Sequence, residues 1–265
     1  MTNLIINFVD TERLIGGRHS DLRSRKAAMI TLDARIDLSE QSDIAALTAL
    51  VSVSGLNLVD VGCGPALTSR ALVQMGAHVA AVEPDPVQAE MNLQAEPNAC
   101  LVYHQCSAER LPMPDHSVDG VLFFRSLHHV PVDEMDNALQ EAVRVLKPIS
   151  GFLWVVEPGM TGSNFQLMRP FHDETRVRTE AQAALARFSA RNLFRNEAHY
   201  QYVQHPRHAS FEEMVARVTS QTFNAITREM VENEEVRTLF EKGRTSQGDY
   251  TFEQPMLLNF YRGLA

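Results

Sequence analysis

The sequence predicts an α/β fold: a mostly parallel sheet of seven strands, helices on both faces, and a helical cap insertion after the fifth strand. Three observations carry this. Between about 41 and 157, short apolar runs alternate with amphipathic segments, as parallel strands joined by crossover helices require. The runs are apolar throughout rather than at every second residue, the pattern of strands covered on both faces. The first run enters its helix through a turn containing Gly62 and Gly64, the kind of crevice where open α/β sheets bind ligands.

Taken in order, Asp43 to Val53 reads as a helix ended by Ser54-Gly55, and Leu56 to Val61 as the first strand. Pro65 to Met75 reads as a helix with Pro65 in its first turn, where a missing N–H costs little, and Gly76 near its end. His78 to Glu83 is the second strand, Pro86 to Gln94 a helix, and Leu101 to His104 the third strand. Val118 to Phe124 is the fourth; a helix over Val132 to Leu146 follows and stops at Lys147-Pro148, and Gly151 to Glu157 is the fifth. Beyond Glu157-Pro158-Gly159 the rhythm changes. Residues 175–195 read as one amphipathic helix with Val177, Ala181, Ala184, Leu185 and Phe188 on one face. Tyr200 to Val203 is a sixth strand, Phe211 to Thr219 and Glu229 to Lys242 are helices, and Phe252 to Tyr261 closes the sheet as an antiparallel hairpin partner. The expected divisions are a segment 1–40 able to act as a lid, a core 41–158, a cap insertion 159–209, and a completion of the sheet over 210–265.

Of the 265 residues, 45% are apolar and 22% charged, ordinary for a globular chain. Cys63, Cys100 and Cys106 are an odd set without metal-type pairing, which fits a reducing, cytoplasmic setting. The stretch MTNLIINFVDTERL has no basic region ahead of an apolar one, so neither a signal peptide nor a membrane anchor is expected. The net charge of −9 repels phosphate backbones. Small-molecule chemistry is therefore expected, without nucleic-acid or membrane partners.

The strongest local signal is LVDVGCGPA, Leu58 to Ala66. The glycines let a ligand approach the backbone, and the following helix N-terminus adds a positive dipole. An ordinary strand-to-helix turn would look similar, so the neighbouring residues decide. A dinucleotide fingerprint would place its third glycine at 67, which is Leu67. The charge of Asp60 opposes a pyrophosphate but suits a ligand with an ammonium and a sulfonium group. Glu83 closes the second strand, where an acid can accept two ribose hydroxyls.

Together LVDVGCGPA, AAVEPD, SAERLPMPDHSVDGVLFFRSLHHV and ALQEAVRVLKPISGFLWVVEP resemble the successive motifs of class I S-adenosylmethionine-dependent methyltransferases. The resemblance is strongest to the branch that includes ubiquinone and menaquinone biosynthesis enzymes, and covers about residues 56–158. It implies a Rossmann-like fold, S-adenosyl-L-methionine as cofactor, and methyl transfer to a small-molecule acceptor. By position it implies Asp60, Gly62 and Gly64 at the methionine part of the cofactor and Glu83 at the ribose. Many relatives have an acid before the residue matching Ala108; Ser107 stands there, so Ser107 or Glu109 must serve the adenine. Phe124 and Arg125 follow the fourth strand, where relatives place methionine and acceptor contacts.

His128 and His129 are the candidate catalytic residues, since histidine is the side chain best poised to take a proton near neutral pH. Loop bracing is the competing role. His172, His199, His205 and His208 lack metal-ligand spacing, and no metal is expected. From Met160 to Ala209, seven arginines face four acids, a local net of +3 that can attract an anionic acceptor or merely solvate a helix face. Arg125, Phe165, Arg169 and His172 are the candidate acceptor contacts, and Gly16 to Arg25 could close the other side of the crevice. Two readings compete: a catalytically silent cofactor-binding interaction protein, and a nucleic-acid methyltransferase. FFRS in place of an Asn/Asp-Pro-Pro-aromatic tetrad disfavours the latter.

Overall fold

Eight strands form one sheet in the computed structural model, which describes residues 35–222 and 224–265. In chain order the elements are β1 Ile36–Glu40, α1 Asp43–Leu50, β2 Asn57–Val61, α2 Leu67–Gln74, β3 His78–Val82, α3 Pro86–Leu93, β4 Leu101–His104 and β5 Gly120–Phe124. A short 3-10 turn, Leu127–His129, leads to α4 Met135–Val145 and β6 Phe152–Pro158. Then come α5 Ser163–Met168, α6 Thr175–Ser189, β7 Phe194–Gln204, β8 Arg207–His208, α7 Phe211–Thr219, α8 Arg228–Val231, α9 Glu234–Glu241, β9 Tyr250–Thr251 and β10 Gln254–Leu264. The strand order is β1-β7-β10-β6-β5-β2-β3-β4. Strands β6, β5, β2, β3 and β4 are mutually parallel, and β10 is antiparallel to both β6 and β7.

The expected seven strands are all present, and β1 adds an eighth by pairing parallel to β7 at the edge. Residues 36–40 of the expected lid are thus an edge strand, and residues 1–34 of that segment, Gly16 to Arg25 included, lie outside the described residues.

Strand alternation decides what each face holds. Leu153 and Val155 of β6, Val121 and Phe123 of β5, and Val59 and Val61 of β2 pack on α4 and α6. Leu58, Leu122, Phe124, Trp154 and Val156 point the other way, onto Ala46 and Leu47 of α1 and Leu72 of α2. The same alternation sends Glu157 toward the α4/α6 face and Asp60 toward α2. Burying side chains of this size stabilises the fold by about 1.5–3 kcal/mol each.

Local chemistry moves several boundaries. The helix expected from Pro65 begins at Leu67, because Ala66 takes a left-handed conformation (φ +54°) that no helix propagates through. Asn233 caps a new helix, with its side chain accepting from Val236 N–H, so the helix expected over Glu229 to Lys242 splits into α8 and α9. The helix expected over 175–195 stops at Ser189, and the residues from Phe194 join the long strand β7.

The stretch 159–209, expected as a cap, divides among three structures. Ala181, Ala184, Leu185 and Phe188 of α6 bury against the main core, and β7 is a full strand of the sheet. An amphipathic helix that follows a parallel strand covers the sheet, and this one does so. A separate apolar cluster joins α5 to the segment between β7 and β10: Leu167, Phe171, Phe211, Met214, Val215, Val231, Val236, Phe240 and Phe252. No described helix is long and apolar enough to cross a membrane.

Candidate functional site

At the carboxyl end of β2 the chain turns through Gly62 (φ +69°) and Gly64 (φ +51°). A side chain at Gly62 would collide with Ser126, whose Cβ would lie 2.6 Å from the added carbon. At Gly64 an added Cβ would meet nothing within 4 Å. The first glycine is needed for the packing of the turn against the end of β5, and the second faces open space. The turn is held rigidly. Gly62 and Cys63 N–H donate to Val82 O at 2.8 and 2.9 Å, and the Asn92 amide from α3 donates to Gly64 O at 2.8 Å.

Two carboxylates flank this turn. Asp60 is 1% exposed and accepts from Ser69 Oγ at 2.6 Å. Burial pushes its carboxyl up to about 6, with the nearby Glu83 charge adding and the Ser69 bond opposing. Glu83 follows β3, accepting from Gly64 N–H at 2.8 Å and Asp85 N–H at 2.9 Å. Burial raises its pKa, and these two amides oppose the rise. One oxygen lies on each amide, so the carboxylate is oriented before any ligand arrives. Asp85 in turn caps α3 and accepts from Thr222 Oγ1 at 2.5 Å, tying the segment after α7 to this side of the crevice.

Beside Glu83, Ser107 to Glu109 form the turn after β4, with Arg110 N–H donating to Ser107 O at 3.3 Å. Ala108 is buried in the core, while Ser107 and Glu109 stay part-exposed. At the end of β5, Phe124 is buried and Arg125 sits at φ +59°. Arg125 Nε reaches Asp43 Oδ2 at 3.4 Å with its side chain 49% exposed. Asp43 also accepts from the Tyr202 hydroxyl and from Gln204 Nε2 at 2.7 Å. Ser126 Oγ donates to Val61 O at 2.5 Å, locking the ends of β5 and β2 together.

The histidines follow at once. His128 is 3% exposed and its Nδ1 bonds Glu157, itself wholly buried at the end of β6. Glu157 also accepts from Leu127 N–H at 3.0 Å. Glu174, just before α6, is the other acid: its Oε1 lies 3.6 Å from His128 Nε2 and 2.8 Å from His172 Nε2. Arg178 Nη2 holds Glu174 Oε2 at 2.6 Å. Asp173 Oδ1 takes the Thr175 N–H at the start of α6, which leaves the Glu174 side chain to turn inward.

Burial alone would lower the pKa of His128, but the charges of Glu157 and Glu174 outweigh it and push the imidazole up to about 9. Burial would raise Glu174, yet His128, His172 and Arg178 hold it far below the usual carboxylate range. His129 is brought down to about 4, by its protein surroundings first and the neighbouring His128 charge second. Its ring, 4.1 Å from that of His128, is nevertheless exposed. His129 is thus crowded by neighbouring groups and still accessible to solvent.

Among the candidate acceptor contacts, His172 joins this cluster. Phe165 is buried beneath the Arg178 guanidinium, 5.4 Å from its ring centre. Arg169 stands apart, 61% exposed and paired with Asp173 at 3.4 Å. Other arginines of the basic stretch are also paired: Arg187 with Asp136 and Arg207 with Asp249. His199, His205 and His208 have separate acidic partners, Glu197, Glu40 and Glu213, and do not gather.

The sequence reading passed over Glu157, Glu174, Arg178 and Asp43. Glu157 had a visible signal, an acid ending the apolar run FLWVV, since such an acid is buried with its strand. Glu174 had none.

Residues 59–154 match the family model described as a methyltransferase domain. An uncharacterized methyltransferase of Mycobacterium tuberculosis is 31% identical over 111 residues, 41% of this chain and 44% of the relative. A ubiquinone biosynthesis O-methyltransferase of Rhodopseudomonas palustris is 30% identical over 109 residues, 41% of each chain. The matches thus span less than half the length of these relatives. Among solved structures, the YcgJ protein of Bacillus subtilis has a TM-score of 0.54 at 20% identity, covering 82% of this chain and 95% of that one. A methyltransferase-like protein of Bacillus halodurans has a TM-score of 0.54 at 18% identity, covering 84% and 99%. The motif resemblance and the fold it implied therefore stand: this is a Rossmann-like α/β sheet with a methyltransferase-type segment at its centre.

Proposed function

We propose that this chain, with a methyltransferase domain match over residues 59–154, binds S-adenosyl-L-methionine and transfers its methyl group to a small-molecule acceptor. The observation that carries the reading is the pairing of two buried carboxylates, Asp60 and Glu83, around a fixed glycine turn that opens beyond Gly64. The donor set fits this cofactor and not a dinucleotide. Two acids bracket the turn, and a pyrophosphate would be repelled where an ammonium and ribose hydroxyls are welcome.

The cofactor supplies an activated methyl on a sulfonium, so the protein's part is alignment and exclusion of water. Asp60 faces the amino group, Glu83 accepts from the ribose, and Ser107 or Glu109 takes the adenine edge. Gly62 and Gly64 allow the close approach of the methionine part. Phe124 supplies an apolar wall. Arg125 keeps its Nε on Asp43 while its half-exposed guanidinium receives a carboxylate, the cofactor's or that of an anionic acceptor. His129 and His172 face the acceptor. His128, enclosed by Glu157 and Glu174, acts as a positioning residue that holds the 3-10 turn and α6 in register.

S-adenosylhomocysteine should raise the unfolding midpoint of the full chain, because a ligand bound only by the folded state stabilises it. Methyl-labelled cofactor incubated with pools of small hydroxyl, amine and thiol compounds then identifies the acceptor. No midpoint shift at saturating ligand removes the reading.

A further inference from the structure

We propose that His128, His129 and Glu174 form a site for a divalent metal ion of the zinc class, open on one side to the acceptor. A ring nitrogen of each histidine and a carboxylate oxygen of Glu174 all lie within 4.8 Å of one another. Two ligands held about 2.0–2.1 Å from a tetrahedral ion are about 3.4 Å apart. His128 Nε2 and Glu174 Oε1 are 3.6 Å apart, too long for a hydrogen bond and close to that ligand-to-ligand edge.

The surrounding bonds have the form a metal centre needs. Glu157 sits on His128 Nδ1, fixing the ring and leaving Nε2 as the atom directed at Glu174. This carboxylate–histidine arrangement is the one that orients metal-bound imidazoles and raises their basicity. Arg178 occupies Oε2 of Glu174, and His172 takes one lone pair of Oε1, so the second lone pair of Oε1 remains for an ion. Two imidazoles and one carboxylate form a donor set that zinc-class ions favour and magnesium or calcium do not. Two of the three ligands are buried and His129 is exposed, so a fourth position faces solvent, as in catalytic rather than structural zinc sites. The ion would take the place of a proton on His128 Nε2.

The use of that position rests on the methyl-transfer reading. A hydroxylated acceptor placing its oxygen there would lose its proton to water at lower pH, through the Lewis acidity of the ion. The activated oxygen would stand beside the turn that follows Arg125 and Ser126, next to the cofactor's methionine side.

The test uses the full chain, stripped with a chelator and titrated with Zn2+ against a chromophoric competitor, and with Co2+ by visible spectroscopy. One ion per chain, with the intense visible bands of four- or five-coordinate Co2+, is expected. His129→Gln, a substitution at an exposed position, should weaken binding at least tenfold. Glu157→Gln, which keeps the shape and removes the charge on His128 Nδ1, should weaken it roughly 10–100-fold. Absence of binding, or equal binding by His129→Gln, overturns the proposal. S-adenosylhomocysteine binding measured on the same samples separates the two claims: cofactor binding without metal binding defeats this site alone.

Discussion

Replacing Asp60 by Asn should make the cofactor-free chain more stable at pH 8 while impairing cofactor binding. The carboxyl is 1% exposed, and burial holds it at about 6 against an ordinary 3.8. At about 1.36 kcal/mol per pH unit, ionised Asp60 burdens the folded chain by about 3 kcal/mol. Because the folded-state value is the higher one, the folded chain holds the proton more tightly. The stabilising contribution is complete below the ordinary value and is lost as pH rises through about 6. Asn removes the charge and can still accept from Ser69, but its new amide donors need partners, at about 1–2 kcal/mol. The net gain at pH 8 should be about 1–2 kcal/mol, shrinking by about 1 kcal/mol at pH 5. Urea unfolding at the two pH values measures it. Affinity for S-adenosylhomocysteine should fall by about 1.5–3 kcal/mol, roughly 10–150-fold, the scale of a charge-assisted hydrogen bond. A variant less stable than wild type at pH 8, or an equal gain at both pH values, would refute the reasoning.

Glu83→Ala should weaken S-adenosylhomocysteine binding by about 1.5–3 kcal/mol by calorimetry, since the ribose contact and the clamp on Gly64 N–H are lost together. An unchanged dissociation constant would mean that Glu83 is not the ribose ligand. Arg169→Ala should change unfolding free energy by less than about 0.5 kcal/mol, because among the described residues its side chain pairs only with the exposed Asp173. A large drop in turnover of an anionic acceptor in that variant would instead restore Arg169 to the site.

The parallel half of the sheet was legible because its strands carry unbroken apolar runs and their helices begin and end on strong local signals. Asp85 before Pro86 is such a start, and the structure shows its side chain accepting from Val87 and Gln88 N–H. The part after Glu157 was less legible because composition there does not separate a helix covering the sheet from a helix capping the site. Both need one apolar face, and only tertiary packing shows that Ala181, Leu185 and Phe188 meet Leu139 and Val155 of the main core. The same reasoning explains β7. Its early residues Arg195, Asn196 and Glu197 are polar and exposed, so only its later stretch around Tyr200 to Val203 carries a strand pattern.

For the site, legibility followed chain proximity. Asp60, Gly62 and Gly64 share one turn, and Glu83 ends the adjacent strand, so a linear motif could report all four. Glu174 reaches His128 only because α6 packs on the 3-10 turn, an approach that leaves no trace in spacing. Yet the energetics make such partners inferable in principle. A histidine placed after a buried strand must either stay neutral or find an acid, because an unpaired buried charge is prohibitively costly. His128 has two acids around it, Glu157 beside Nδ1 and Glu174 beyond Nε2, and the second is too distant for a hydrogen bond. Two buried carboxylates around one imidazole carry more negative charge than a single imidazolium can balance. That excess is what Arg178 and His172 partly neutralise, so the charge around His128 is balanced by residues from α6 and the segment before it rather than by the exposed, paired arginines of the basic stretch.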